Sequence, residues 1–106
     1  MDTLSRLETV IAKRRAASAD TSYVAALTAK GLPKIAEKVG EEATETIIAA
    51  LTGSDAELTG EAADLLFHLL VLLGAKDISL SAVLAELDRR EGTSGLEEKA
   101  ARGQQA

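Results

Sequence analysis

From Ala62 to Leu73 the chain reads AADLLFHLLVLL, apolar on almost every side of a helix. A helix with no solvated face lies at the centre of a bundle or against another subunit. Ser54, followed three residues later by Glu57, matches a capping box that opens this helix, the fourth in the chain. Gly74 is expected to stop it.

The flanking sequence is helical too. Ala, Leu, Glu, Lys and Arg abound, and the 106 residues include a single proline. Leu4, Leu7, Val10 and Ile11 recur at helical spacing in a first helix from about Thr3 to Ala19, with Lys13, Arg14 and Arg15 near its end. Ser22 caps a short second helix through Tyr23, Val24 and Leu27 to Gly31. Pro33 suits the first turn of a third, about Leu32 to Leu51, with Ile35, Val39, Ala43, Ile47 and Ala50 along one stripe. Ser79 caps a fifth helix to about Glu91. Ser94 and Glu97 form a second capping box, opening a charged tail helix that frays from Arg102 to Ala106. The fold class is therefore all-α: a single domain over residues 1–106, a compact helical bundle of about five helices. A core this small is often supplemented by oligomerisation.

Two acidic clusters border the most apolar stretches. Glu41, Glu42 and Glu45 lie in VGEEATETIIAA, and Glu61 and Asp64 in GEAADLLFHLLVLL. Helical side chains three apart share a face, so Glu42/Glu45 and Glu61/Asp64 each make a two-carboxylate edge. Antiparallel packing through the short TGSD connection brings the two edges together. Like charges about 5 Å apart repel by roughly 3 kcal/mol at an effective dielectric of about 20. Crowded oxygen ligands select a hard cation such as magnesium, which keeps positions open for water and substrate phosphates. It would neutralise phosphate charge and lower the pKa of a water. A carboxylate not committed to the metal, Glu41 or Glu42, can then take that water's proton.

The residues alone leave plainer readings open. Glu41 and Glu45 can pair with Lys38 on a solvated face, and Glu61 and Asp64 can complement the dipole of a helix beginning near Thr59. Asp64, however, sits directly against LLFHLLVLL, where a solvated face is scarce. His68, one turn later, either orients Asp64, touches a ligand, or is a hydrogen-bonded core histidine. Lys30, Lys34 and Lys38 surround the start of the third helix, as a phosphate-facing patch or as surface charge. Tyr23 hydrogen-bonds a ligand or anchors the helix entry.

Other classes fit poorly. One histidine and no cysteine argue against a zinc site, and the absence of cysteine fits an intracellular setting. The net charge of −5 argues against non-specific nucleic-acid binding. The apolar run Leu65 to Gly74, interrupted by His68, is too short to span a bilayer, and no apolar leader follows Met1.

The spacing E-x-x-E, fifteen residues, E-x-x-D at Glu42, Glu45, Glu61 and Asp64 resembles the all-α nucleotide pyrophosphohydrolases of the MazG-like group. Ser22 to Ala50, EAADLLFHLLVLL (Glu61 to Leu73) and REGTSGLEEKAAR (Arg90 to Arg102) narrow the resemblance to the phosphoribosyl-ATP pyrophosphatases, over nearly the whole chain. It implies hydrolysis of 1-(5-phosphoribosyl)-ATP to 1-(5-phosphoribosyl)-AMP and pyrophosphate, the second step of histidine biosynthesis, with Mg2+, by a cytoplasmic helical homodimer. It also implies that Glu42, Glu45, Glu61 and Asp64 bind metal, with Glu41 as a further ligand or base. Lys30, Lys34, Lys38, Lys99 and Arg102 are the substrate-phosphate candidates, with Tyr23 beside them. Ala101 departs from the pattern, where serine is the more usual residue. The cyclohydrolase acting next, often fused to such domains, has no room or Cys/His cluster here and is expected as a separate chain. Two rivals remain: a house-cleaning pyrophosphatase for dUTP or oxidised nucleotides, and a non-catalytic helical dimerisation module.

Overall fold

The computed structural model describes residues 2–92 and 95–105 of the chain. It is all-α, with six helices and no strand among the described residues: α1 (Thr3–Arg15), α2 (Tyr23–Ala29), α3 (Leu32–Thr52), α4 (Asp55–Ala75), α5 (Leu80–Arg90) and α6 (Gly95–Gln105). Helices α3 and α4 form a long antiparallel hairpin joined by Gly53 and Ser54 alone. Helices α1 and α2 pack on one side of it, and α5 packs on α1. The core where they meet is Ile11, Val24, Leu27, Ile35, Leu70, Val71 and Leu80.

Local chemistry sets most of the boundaries. Asp2, Ser22 and Ser79 accept hydrogen bonds from Ser5, Ala25 and Ala82 backbone N–H groups, satisfying donors that a helix start leaves orphaned. Ser54 and Glu57 form the expected capping box at the head of α4. Gly31 turns the chain between α2 and α3 at φ +96°, a backbone region that only glycine occupies without strain. Two ties then fix α1 against the distal end of the hairpin. Glu8 accepts a 2.7 Å hydrogen bond from Leu80 N–H at the start of α5. Arg15 donates one of 2.9 Å to the Gly74 carbonyl, where a cation suits the helix C-terminus.

Several details differ from the sequence expectations. Helix α1 stops at Arg15 rather than Ala19, because the Ser18 carbonyl closes a separate turn with the Thr21 and Ser22 N–H groups. Gly74 does not end α4, which runs to Ala75; a Cβ there would lie 2.5 Å from Arg15 Nη2, so glycine leaves room for the guanidinium. On α3 the inward line is Ile35, Glu42 and Ala49, while Ile47 and Ala50 of the expected stripe are exposed. The apolar surface of this hairpin is wider than its own neighbours cover. Helix α6 continues to Gln105 rather than fraying from Arg102. Ser94, and with it the second capping box, lies outside the described residues. As a whole, α4 has the length and hydropathy of a membrane span, although its apolar run alone does not. Only 17% of that stretch is buried within this chain, so its apolar composition exceeds what packing against its own neighbours uses.

Candidate active site

The hairpin brings together three of the acids. Glu42, on α3, is only 7% exposed, against α4. Glu45 stands one turn further along α3, and Glu61 faces both from α4. One oxygen from each lies within 4.8 Å of the others. Thr46 holds the two backbones in register: its hydroxyl donates to the Glu42 carbonyl at 2.7 Å and lies 3.3 Å from the Glu61 carbonyl. A hydrogen bond shared with the Glu45 carboxyl, then burial and the neighbouring negative charges, raises Glu61 above the usual carboxylate range. Burial, followed by the charge of Glu45, raises Glu42.

Glu42 Oε2 and Glu61 Oε2 are buried and accept no hydrogen bond. A buried acceptor without a donor carries the full cost of its lost hydration. A hard divalent cation removes that cost, and an all-carboxylate donor set is what such a cation prefers. The residues present therefore fit magnesium and do not fit zinc.

The remaining candidates divide around this centre. Asp64 is exposed on the next turn of α4, close enough that its charge helps raise both Glu42 and Glu61, but it is not one of the three converging acids. Glu41 is exposed, and its 3.0 Å ion pair with Lys38 lowers the Glu41 pKa and raises that of Lys38. Lys38 also approaches Glu42 to 3.9 Å, so it links the acids to the basic side of the site. There, Tyr23, Lys30, Lys34, Lys38 and Glu41 line a pocket of about 200 Å3. A second pocket, about 210 Å3, opens at the hairpin end between Glu45, Ile48, Thr52, Glu57 and Glu61. Lys99 and Arg102 are exposed on α6 and line neither pocket.

His68 is buried, bonded through Nδ1 to the Asp64 carbonyl and through Nε2 to the Tyr23 hydroxyl, each at 2.8 Å. Sequence reasoning did not single out Thr46 or join Tyr23 to His68. Thr46 lies one turn after Glu42, a weak signal for a side chain that bridges to the facing helix. Nothing local links residues 23 and 68.

Known proteins resemble this chain over nearly its whole length. The family described as phosphoribosyl-ATP pyrophosphohydrolase matches residues 4–91. A phosphoribosyl-ATP pyrophosphatase of Erythrobacter litoralis is 75% identical over 103 residues, covering 97% of this chain and 99% of that protein. One from Rhizorhabdus wittichii is 68% identical over 100 residues, 94% of each chain. One from Dinoroseobacter shibae is 59% identical over 102 residues, 96% of this chain and all of that protein.

Proposed function

The chain belongs to the phosphoribosyl-ATP pyrophosphohydrolase family, and from that premise we propose how its residues perform the reaction. It hydrolyses 1-(5-phosphoribosyl)-ATP, releasing pyrophosphate and 1-(5-phosphoribosyl)-AMP, in histidine biosynthesis. The observation that carries the mechanism is the pair of buried carboxylate oxygens, on Glu42 and Glu61, that no donor satisfies. Glu42, Glu45 and Glu61, with Asp64 on their shoulder, hold Mg2+. When bound, the ion neutralises charge on the triphosphate and acidifies water. Glu41 faces solvent beside the cluster and is not one of the converging acids, so it takes the proton of the attacking water, although its ion pair with Lys38 makes it the weaker base. Glu42 is the alternative base, since burial makes it the more basic of the two but leaves it committed to the cluster.

Lys30, Lys34 and Lys38 give an acidic protein a local positive field for a polyanion, with Tyr23 on the wall of the same pocket. Lys99 and Arg102, exposed on α6, add charge for the substrate's phosphates. The exposed apolar faces of α3 and α4 (Ile47, Ile48, Leu51, Leu66 and Leu69) join two copies into a homodimer. The enzyme works in the cytoplasm and passes its product to a separate cyclohydrolase chain.

Magnesium-dependent pyrophosphate release from phosphoribosyl-ATP, measured beside dUTP and ordinary nucleoside triphosphates, tests this reading. Phosphoribosyl-ATP is expected to be turned over fastest, and Glu45→Gln to lose about 100-fold or more while keeping its melting temperature. Faster turnover of the ordinary nucleotides would instead assign a house-cleaning role. Unchanged rates in Glu45→Gln would reject the metal centre.

A further inference from the structure

Tyr23 and His68 make a hydrogen-bonded pair that the scheme above leaves without a task. His68 has both ring nitrogens engaged, Nδ1 with the Asp64 main-chain carbonyl and Nε2 with the Tyr23 hydroxyl. A carbonyl only accepts, so Nδ1 carries the hydrogen. In the neutral ring Nε2 is then an acceptor, and the Tyr23 hydroxyl gives it its one hydrogen. What the phenolic oxygen has left is lone pairs. The rings are also held in place. Phe67 stacks on Tyr23 with centroids 6.3 Å apart, and His68 meets Tyr23 edge-on at 5.6 Å. Tyr23 is nonetheless 51% exposed and forms a wall of the pocket that contains Lys30, Lys34 and Lys38.

We propose that His68 is a positioning residue that fixes the polarity of Tyr23, making its oxygen an acceptor toward the pocket. Tyr23 therefore selects a hydrogen-bond donor on the substrate, a ribose hydroxyl or a purine N–H. It does not bind a phosphate oxygen, which has no hydrogen to give. The lysines, which only donate, take the phosphates. Opposite chemistries on one pocket wall thus read the nucleoside and the polyphosphate separately. Binding energy from the nucleoside part distinguishes the nucleotide from bare pyrophosphate. The inference rests on the function proposed above and assigns a different part of the substrate to each side chain.

The test compares the KM for phosphoribosyl-ATP with the inhibition constant of inorganic pyrophosphate, both with saturating magnesium. Tyr23→Phe is expected to raise KM roughly five- to tenfold, the loss of one hydrogen bond, with pyrophosphate inhibition within about twofold. His68→Asn keeps an amide donor for the Asp64 carbonyl but takes the acceptor away from Tyr23, and should reproduce the KM defect. His68→Gln can place its amide oxygen where Nε2 stood and should restore most of the affinity. If Tyr23→Phe weakens pyrophosphate as much as substrate, or leaves KM unchanged, the inference is overturned. A wild-type protein that does not turn over phosphoribosyl-ATP would overturn the functional reading itself, a result distinct from variants that all behave alike.

Discussion

Glu42 and Glu61 each place one carboxylate oxygen, Oε2, where it loses its water without gaining a donor. Both have pKa values raised above the ordinary 4.5. An acid with a raised folded-state pKa costs nothing while both states are protonated, and costs stability once both are ionised. The metal-free protein should therefore lose melting temperature as pH rises above the ordinary carboxylate value of 4.5. Saturating magnesium should restore about 5 °C or more near pH 8 and little near pH 5, where protons compete for the same oxygens. Calorimetry with and without chelator checks this, and Glu42→Gln should abolish the magnesium gain. The pairing of these acids was legible because three-residue spacing puts two carboxylates on one helix edge whatever the fold. Which of them is buried was not. That depends on how α3 rolls against α4, and an apolar pattern as broad as this one leaves the roll open. For the same reason Asp64 stands outside the converging three.

Helix starts were the most legible elements, because a cap is a contact between a side chain and backbone only two or three residues away. Ser22, Ser54 and Ser79 all cap as their positions suggest. Helix ends were less so: the Ser18 turn shortens α1, and the Arg15 contact, 59 residues distant in sequence, explains Gly74 better than chain termination does. The entry to α3 is the most sensitive joint, since it aims the lysine pocket and the acids on one rigid element. Gly31→Ala should cost about 1–3 kcal/mol in chemical denaturation, because no L-residue adopts that φ without strain. A cost below about 0.5 kcal/mol would mean that the joint relaxes freely.

The molecule as a whole is wider than its length requires. Its radius of gyration is 16.0 Å, where a compact chain of this size has about 13 Å. Ile47 and Leu51, 60% and 79% exposed, lie on the uncovered side of α3. This explains why the sequence stripe misplaced Ile47: periodicity reports which residues avoid water, not whether a neighbouring helix or a second chain shields them. Replacing Ile47 and Leu51 together by Glu should convert the proposed dimer to monomers in sedimentation analysis and change monomer stability by less than about 1 kcal/mol, as exposed substitutions usually do. Retention of the dimer would place the interface elsewhere. The capping box at the head of α4 acts as the zero of a ruler for the chemistry beyond it. A helix advances by about 100° per residue, so one residue deleted within α4 between Glu57 and Glu61 would swing Glu61 more than a quarter of a circle relative to the capping box that starts the helix. Every helix would still form, and the carboxylates would no longer meet.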